Sequence, residues 1–182
     1  MPDPLHKCSK YFTYSDLIAC GTTALNSNID NLPLDAESWK ALANLAVHIL
    51  DPIRENFGQI ELTYGFCSLE LSKRIKSNIY PSLDQHCCSE VNRNGKLLCD
   101  RGGAAVDFRV PSANSLEIAQ WIVSNLPFDR LYFYGSSNPI HVSYSKNHTQ
   151  QVVLMAKSLQ SGKRIPRTVD KDRFIKELNL GF

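Results

Sequence analysis

Two separated stretches of the chain carry residue types that could bind a catalytic metal. The first runs from Ser82 to Asp107 and holds a histidine among several carboxylates, and the second, Ile140-His141-Val142, supplies another histidine. Two imidazoles and one carboxylate are the ligand chemistry of zinc sites that keep one coordination position open. These stretches therefore predict a metallo-hydrolase.

Each of these residues also has a plainer explanation. Alternation in Ala104–Val110 places Asp107 opposite the more apolar face of a predicted strand, and alternation in Ile140–Tyr144 does the same for His141. A polar residue in such a position can simply face water. The combination of residues, and not any one of them, carries the prediction.

The strands that would carry these residues are flanked by predicted helices. Asp35 is placed to cap the clearest one, and a kink or a fresh first turn is expected at Asp51-Pro52 because proline removes a helix hydrogen bond. Asn114 with Glu117 resembles a capping box ahead of a further helix. The apolar stripes of these two helices are Trp39, Leu42, Ala46, Ile49 and Ile53, and Leu116, Ala119, Ile122, Val123 and Leu126.

Shorter elements complete an α+β architecture in which helices flank a small antiparallel sheet. Ser15 is a plausible cap of a first short helix, and Ser68 could cap another that Pro81 closes. Glu90–Cys99 is predicted to be a loop or small hairpin that turns at Asn94-Gly95. Further strands are predicted at 59–64, 131–134, 140–144 and 152–155, and a closing helix at 170–178.

Composition limits the class of protein. With 182 residues, 43% of them hydrophobic, the chain can bury one sizeable core, so a single domain over 1–182 is expected. The six cysteines fit reduced thiols better than a disulfide framework. The N-terminus has no apolar signal region, and no segment approaches the roughly 20 apolar residues of a membrane span. A cytoplasmic location without a membrane partner is therefore expected.

The charge of the chain is nearly balanced, but one segment is basic. The formal net charge of +2 is too small to argue for nucleic acid by itself. Lys157–Arg167, however, carries four positive side chains and no acid, and it begins a basic C-terminal extension of about 157–182. This segment lacks the interleaved aromatic residues that stack on bases. A binding module for an acidic partner such as nucleic acid is accordingly the alternative function.

The order of several short motifs resembles that of a known family. Asp84-Gln85-His86, Gly103-x-Ala105-x-Asp107-Phe108 and Ile140-His141-Val142 follow one another as Ser-x-His, Gly-x-Ala-x-Asp and His-Val do in the zinc D-alanyl-D-alanine carboxypeptidases. These metallopeptidases share a fold with the Hedgehog signalling domain. The resemblance covers about residues 10–145, and its upstream segments are Tyr11–Leu17, Ile29–Pro33, Leu50–Glu55 and Leu62–Ser68.

The resemblance implies a zinc ion held by His86, Asp107 and His141. The family spaces its first histidine and its aspartate much more closely, so the chain would contain an inserted segment at about 87–100. An ungapped alignment would instead place Asp100 at the position of the first ligand. His86 is preferred because imidazole is the better zinc ligand and because the preceding Asp-Gln matches the family's Ser-Gln. Ser143 and Arg109 are possible hydrogen-bond partners of the ligands.

Two catalytic positions differ from the family pattern. Cys67 stands where an arginine would steady a substrate carboxylate or an oxyanion, and a thiol cannot make that bidentate contact. Pro139 stands where relatives often place a group that transfers protons. The remaining candidates for the general base are Glu90 and Asp84, provided that either reaches the metal; Glu90 could equally be a solvated loop acid.

These observations together imply a zinc-dependent peptidase-like hydrolase. The resemblance implies a substrate such as a peptide or peptidoglycan fragment, or another amide that contains a D-amino acid. The absence of an export signal fits a phage-type lysis enzyme or an intracellular role. Cys87, Cys88 and Cys99 could bind a structural metal, but their spacing lacks the paired CxxC pattern and favours buried thiols.

Overall fold

The computed structural model describes residues 1–19, 21, 26, 28–75, 81–158 and 160–178. Six strands form one mixed sheet in the order β1-β2-β4-β3-β5-β6. These strands are β1 (Glu61–Tyr64), β2 (Ala104–Arg109), β3 (Arg130–Phe133), β4 (Ile140–Tyr144), β5 (Gln151–Lys157) and β6 (Arg164–Val169).

Helices accompany the sheet, so the α+β class predicted from the sequence is confirmed. The helices are α1 (Tyr14–Ile18), α2 (Ala36–Leu45), which continues through a π-helical turn (Ala46–Leu50) into α3 (Asp51–Phe57), α4 (Leu69–Ser72), α5 (Pro81–Asp84), α6 (Ser115–Asn125) and α7 (Lys171–Leu178). None of the helices in the described ranges is both long and apolar enough to cross a bilayer.

The sheet is mixed, so the prediction of an antiparallel sheet was wrong in one pairing. β3 and β4 pair antiparallel, whereas β3 and β5 pair parallel. The short connection after β4 reverses the chain, and β5 then pairs with β3 instead of β4. β5 therefore runs in the same direction as β3. β6 lies within the segment that was predicted to be a basic C-terminal extension. It pairs antiparallel with β5 and is an edge strand of the sheet.

One face of the sheet and the helical stripes form the main hydrophobic core. Most apolar residues of the strands are buried there, as are Leu42, Ala46, Ile49 and Ile53 of the predicted stripe, while Tyr144 is half-buried against this core. Burial of an aliphatic side chain of this kind stabilises the fold by about 2 kcal/mol. The core includes Leu42, Ala46, Ile49, Ile53, Val106, Phe108, Ile118, Ile122, Leu131, Ile140 and Val142.

Most predicted helix starts are confirmed by their hydrogen bonds. The side chain of Asp35 accepts from the backbone N–H of Glu37, and Asn114 accepts from that of Glu117. Ser68 caps α4, but this helix ends at Ser72 and Pro81 begins α5 instead of closing a long helix. Residues 76–80, which the predicted helix would approach, lie outside the described residues.

The cap of the first helix was predicted two residues too late. Thr13, and not Ser15, caps α1, because Thr13 and Asp16 have the three-residue spacing that satisfies both backbone N–H groups of a capping box. At Asp51-Pro52 the fresh first turn is confirmed, since α3 begins there. The preceding π-helical turn pairs the Asp51 N–H with the Ala46 carbonyl.

Candidate metal centre

Strand pairing brings together two of the three predicted ligands. Asp107 on β2 lies directly opposite His141 on β4, and the His141 Nδ1 is 2.9 Å from the Asp107 Oδ1. His86 approaches the same oxygen through its Nε2, at 3.5 Å. One ligand atom from each residue lies within 4.8 Å of the others. Ligand atoms around a tetrahedral zinc are roughly 3.3 Å apart. The two contacts of the Asp107 Oδ1 have about that spacing, while the 4.8 Å limit on the whole group is wider.

The backbone around Gly65 fixes the position of His86. The His86 Nδ1–H donates to the Gly65 carbonyl at 2.9 Å, and the Cys67 N–H donates to the His86 carbonyl at 2.9 Å. The ring of Tyr64 meets the imidazole edge to face at 4.6 Å. Because Nδ1 carries the proton, the lone pair of a neutral His86 is on Nε2, which faces Asp107.

The charges of this group favour a cation between the side chains. Burial lowers the pKa of His86, but its hydrogen bond to Asp107 and the charges of Asp107 and Asp84 outweigh burial and raise the pKa to about 9. Burial raises the pKa of Asp107, but its hydrogen bonds to His141 and His86 hold that pKa well below the usual range. The same carboxylate charges would stabilise either a proton on His86 or a metal ion bound between these side chains.

The buried His141 has a ring nitrogen without a hydrogen-bond partner among the described residues. When the His141 Nδ1–H donates to Asp107, the Nε2 carries a lone pair, and this buried atom has no hydrogen-bond partner among the described residues. A neutral His86 would turn its Nε2 lone pair toward a carboxylate oxygen. Buried acceptors without donors are unfavourable, and a bound cation would satisfy them. The donor set therefore fits a metal such as zinc.

Two tyrosines on the same face of the sheet were not singled out from the sequence. Tyr132 pairs with His141 across β3 and β4, and the two rings are 4.7 Å apart. Burial, followed by the charge of Asp107, raises the pKa of Tyr134 above its ordinary value, so its hydroxyl stays protonated. The alternation of Leu131 and Phe133 with the two tyrosines could have indicated them from the sequence, because it puts both tyrosines on the same face as His141.

The structure separates Asp100 from the other two predicted ligands. Asp100 is exposed and forms an ion pair with Lys96 at 3.6 Å, so it does not belong to the group around Asp107. His86, and not Asp100, lies beside Asp107 and His141 in the structure. The predicted hairpin in the inserted segment is confirmed by the bridge between Val91 and Leu97, and Gly95 has the positive φ of its turn.

Glu90 lies in a different environment from the one expected of a general base. Its buried Oε1 accepts hydrogen bonds from the backbone N–H groups of Leu34 and Asp35 and from the Ser38 hydroxyl, at 2.8–3.0 Å. These contacts tie the inserted segment to the start of α2. They give Glu90 a structural role, because the oxygen is committed to three donors, and we assign it no part in the chemistry proposed below.

Asp84 interacts directly with His86, a member of the metal group. Its Oδ1 accepts the backbone N–H of His86 at 3.2 Å. Its charge contributes to the raised pKa values of both His86 and Tyr134. Asp84 is therefore the predicted general base whose electrostatic influence reaches the site.

Replacement of Glu90 by alanine tests its structural role. The change leaves two backbone N–H groups and one hydroxyl without their acceptor, so we expect the free energy of unfolding to fall by about 1–3 kcal/mol in urea denaturation. Zinc content of the folded protein should stay unchanged. A Glu61→Ala variant, which removes an exposed acid from β1, is the control and should unfold as the parent chain does. Loss of zinc in the folded Glu90 variant would contradict the assignment.

The cysteines near the centre are thiols and are not arranged as a second metal site. No disulfide joins the described cysteines to one another, and Cys67, Cys87, Cys88 and Cys99 are buried. Burial raises the pKa of Cys87 to about 12, so this thiol stays protonated. The group of His86, Asp107 and His141 is the one set of possible metal ligands found in the described part of the chain. The remaining cysteine, Cys20, lies outside the described residues.

Ser143 and Arg109, which were predicted as possible hydrogen-bond partners of the metal ligands, lie in other environments. Ser143 is buried, and its hydroxyl accepts the backbone N–H of Arg130 at 3.1 Å, so it stabilises the pairing of β3 with β4. Arg109 is exposed at the end of β2. The contact that orients a ligand comes instead from the carbonyl of Gly65, which no side-chain pattern in the sequence indicates.

Comparison with known proteins gives no match from which a family could be assigned. The chain matches no protein-family model, no curated protein and no solved structure in the three comparisons.

Proposed function

We propose that the chain is a zinc-dependent peptidase-like hydrolase of the D-alanyl-D-alanine carboxypeptidase type, with a Hedgehog-like fold. The observation that carries the proposal is the convergence of His86, Asp107 and His141, which are far apart in the sequence, on one buried group. Two imidazoles and one carboxylate would hold zinc and leave a position open. When bound, zinc would polarise the scissile carbonyl and make a nearby water molecule more acidic.

The protein residues around this group would orient and protonate the reactants. Gly65 would keep the His86 Nε2 directed at the cation through its hydrogen bond to Nδ1. Asp84 would accept a proton from the attacking water and return it to the leaving amine. Tyr134, whose hydroxyl stays protonated, would donate a hydrogen bond to an oxygen of the substrate.

The substrate class follows from the resemblance of the motifs. We propose a peptide or peptidoglycan fragment, or another amide that contains a D-amino acid, hydrolysed beside the metal. Tyr132 lies against His141, and the charge of Asp107 acts on Tyr134, so these half-buried tyrosines would contact a ligand of this kind beside the metal group. The proposed setting remains cytoplasmic or that of a phage-type lysis enzyme.

Hydrolysis of a peptide that ends in D-Ala-D-Ala tests this proposal. We expect zinc-loaded protein to release D-alanine, a chelator to abolish the release, and added zinc to restore it. Asp107→Asn should lower the rate by at least about 100-fold, since loss of groups that only support zinc ligands already costs 10–100-fold. The Asp100→Asn variant is the matched control, because that carboxylate is exposed. Equal activity of the Asp107 variant and the parent would contradict the proposal.

A second candidate function rests on the edge strand. β6 is largely exposed, and with its flanks it presents Lys157, Lys163 and Arg167, while Arg164 stacks on Tyr134 at 5.0 Å. This distribution favours a zinc-binding module that engages an acidic partner such as nucleic acid. Retention on immobilised nucleic acid that falls steeply with salt, without amidase activity, would support it; retention that does not depend on salt would oppose it.

A further inference from the structure

A cavity of about 470 Å³ opens at the end of the sheet where β3 and β5 finish. Its walls come from the start of α6, from the turn between β3 and β4, and from the strands β5 and β6. His86, Asp107 and His141 are not among the residues that line it, so it is separate from the metal group. Its volume is within the range of about 300–1,000 Å³ that is usual for small-molecule sites.

Apolar side chains form a large part of the cavity lining. Leu116 of α6, Phe133 of β3 and Leu154 of β5 belong to it, and they also pack in or against the hydrophobic core. Met155 and Ala156 continue the apolar lining along β5. Contact with an apolar ligand would remove this surface from water, which is favourable. The cavity therefore suits a ligand with an apolar body.

Two positive side chains also line the cavity, and no acidic residue among the described ones does. Lys157 and Arg164 lie directly opposite each other in the antiparallel pairing of β5 with β6, so their side chains leave the same face of the sheet. Like charges in this arrangement repel each other. Neither residue forms an ion pair with an acid in the described ranges. A bound anion would relieve the repulsion.

The guanidinium of Arg164 is held in one orientation by the end of the sheet. Its Nη1 donates to the carbonyls of Tyr134 and Met155, at 3.1 and 3.2 Å. Its central carbon lies 5.0 Å from the centre of the Tyr134 ring, which is a cation–π contact. Both hydrogen bonds use Nη1, so the N–H groups of Nη2 and Nε are left for an anion. A guanidinium oriented in advance loses little side-chain entropy when a ligand binds.

We propose that this cavity binds a small molecule that combines an apolar body with one carboxylate. The body would lie against Leu116, Phe133 and Leu154, and the carboxylate between Arg164 and Lys157. The proposal does not depend on the hydrolase function, since no metal ligand takes part. It also differs from binding of nucleic acid by the edge strand, because binding to a phosphate backbone is mainly electrostatic and would gain little from the apolar lining.

Octanoate, octanol and acetate separate the contributions of the apolar body and the charge. NMR titration of the full chain with each compound gives its affinity, and the amide signals of Gly135 and Ala156 report whether it enters the cavity. We expect octanoate to bind roughly 10-fold more tightly than octanol, because the carboxylate forms charge-assisted hydrogen bonds. Acetate, which lacks the apolar body, should bind too weakly to measure.

Replacement of each cation tests its contact with the carboxylate. Arg164→Gln should weaken octanoate binding by roughly 10-fold, whereas Lys157→Gln, which removes an exposed charge, should weaken it about 2- to 5-fold. Binding of octanol should stay near the parent value in both variants. Lys163→Gln is the matched control, because this exposed lysine precedes β6 and does not line the cavity. It should bind octanoate as the parent chain does.

Several results would overturn the proposal. They are equal affinity for octanoate and octanol, parent-like octanoate binding by Arg164→Gln, and chemical-shift changes confined to the residues around His141. An equal loss with Lys163→Gln would indicate the general charge of the edge strand and would also count against the cavity. The melting temperature reports whether each variant keeps its fold. If Arg164→Gln does not fold, Lys157→Gln decides, and parent-like octanoate binding by that variant would contradict the proposal.

Discussion

Alanine in place of His86 or His141 is expected to abolish binding of the one zinc ion that we predict per chain. Each change removes a ligand from a set of three, so zinc affinity should fall by more than the roughly 10–100-fold that loss of a supporting hydrogen bond costs. Metal analysis of the purified variants and competition with a chromophoric chelator measure the loss.

The controls for this experiment come from the same residue types. His6→Ala removes an exposed histidine, and Asp100→Ala removes the exposed carboxylate that an ungapped alignment would make a ligand. Both variants should keep zinc at the parent level. Loss of zinc with Asp100→Ala and retention with His86→Ala would reverse the assignment of the first ligand.

The Gly103→Ala variant is expected to lose about 3–5 kcal/mol of folding free energy, because left-handed backbone strain and overpacking add together. Gly103 has a φ of +79°, and a Cβ there would collide with the Tyr144 carbonyl and lie 2.8 Å from the Ser145 Cβ. The collision occurs beside the Ala104–Tyr144 pair, which begins the register that sets Asp107 against His141. Urea denaturation should show the loss, and zinc affinity should fall with it.

Gly95→Ala separates the two contributions. Gly95 has a similar φ of +73°, but a Cβ there would meet nothing within 4 Å among the described residues. The expected loss is therefore only the strain of about 1–2 kcal/mol, with zinc affinity unchanged. If both variants lose equal stability, the close approach of Gly103 to β4 does not contribute.

The residues of the metal group are held in place in two ways, by strand pairing and by hydrogen bonds to the backbone. Asp107 and His141 are aligned by antiparallel pairing of β2 with β4, so their positions follow from strand register. His86 lies outside the strands and is held by the backbone at Gly65 and Cys67. Gly65 itself has no room for a side chain, because a Cβ would collide with the Leu17 carbonyl. The site thus couples α1, the segment after β1 and the sheet.

The sequence by itself determined the local features of this protein. Period-two alternation predicted which faces Asp107 and His141 occupy, and the spacing of Asn94-Gly95 predicted the hairpin, because side-chain direction and turn chemistry depend on neighbouring residues. The caps at Asp35, Asn114 and Ser68 were predictable for the same reason. Each of these features depends on residues within a few positions of one another.

Only the tertiary structure decided how distant segments pair. It set β5 parallel to β3, committed Glu90 to the start of α2 and placed the carbonyl of Gly65 against His86. None of these contacts has a local signature, since each joins residues whose proximity follows from packing of the whole chain. Local propensity determines the elements, while burial of a common core determines which elements meet.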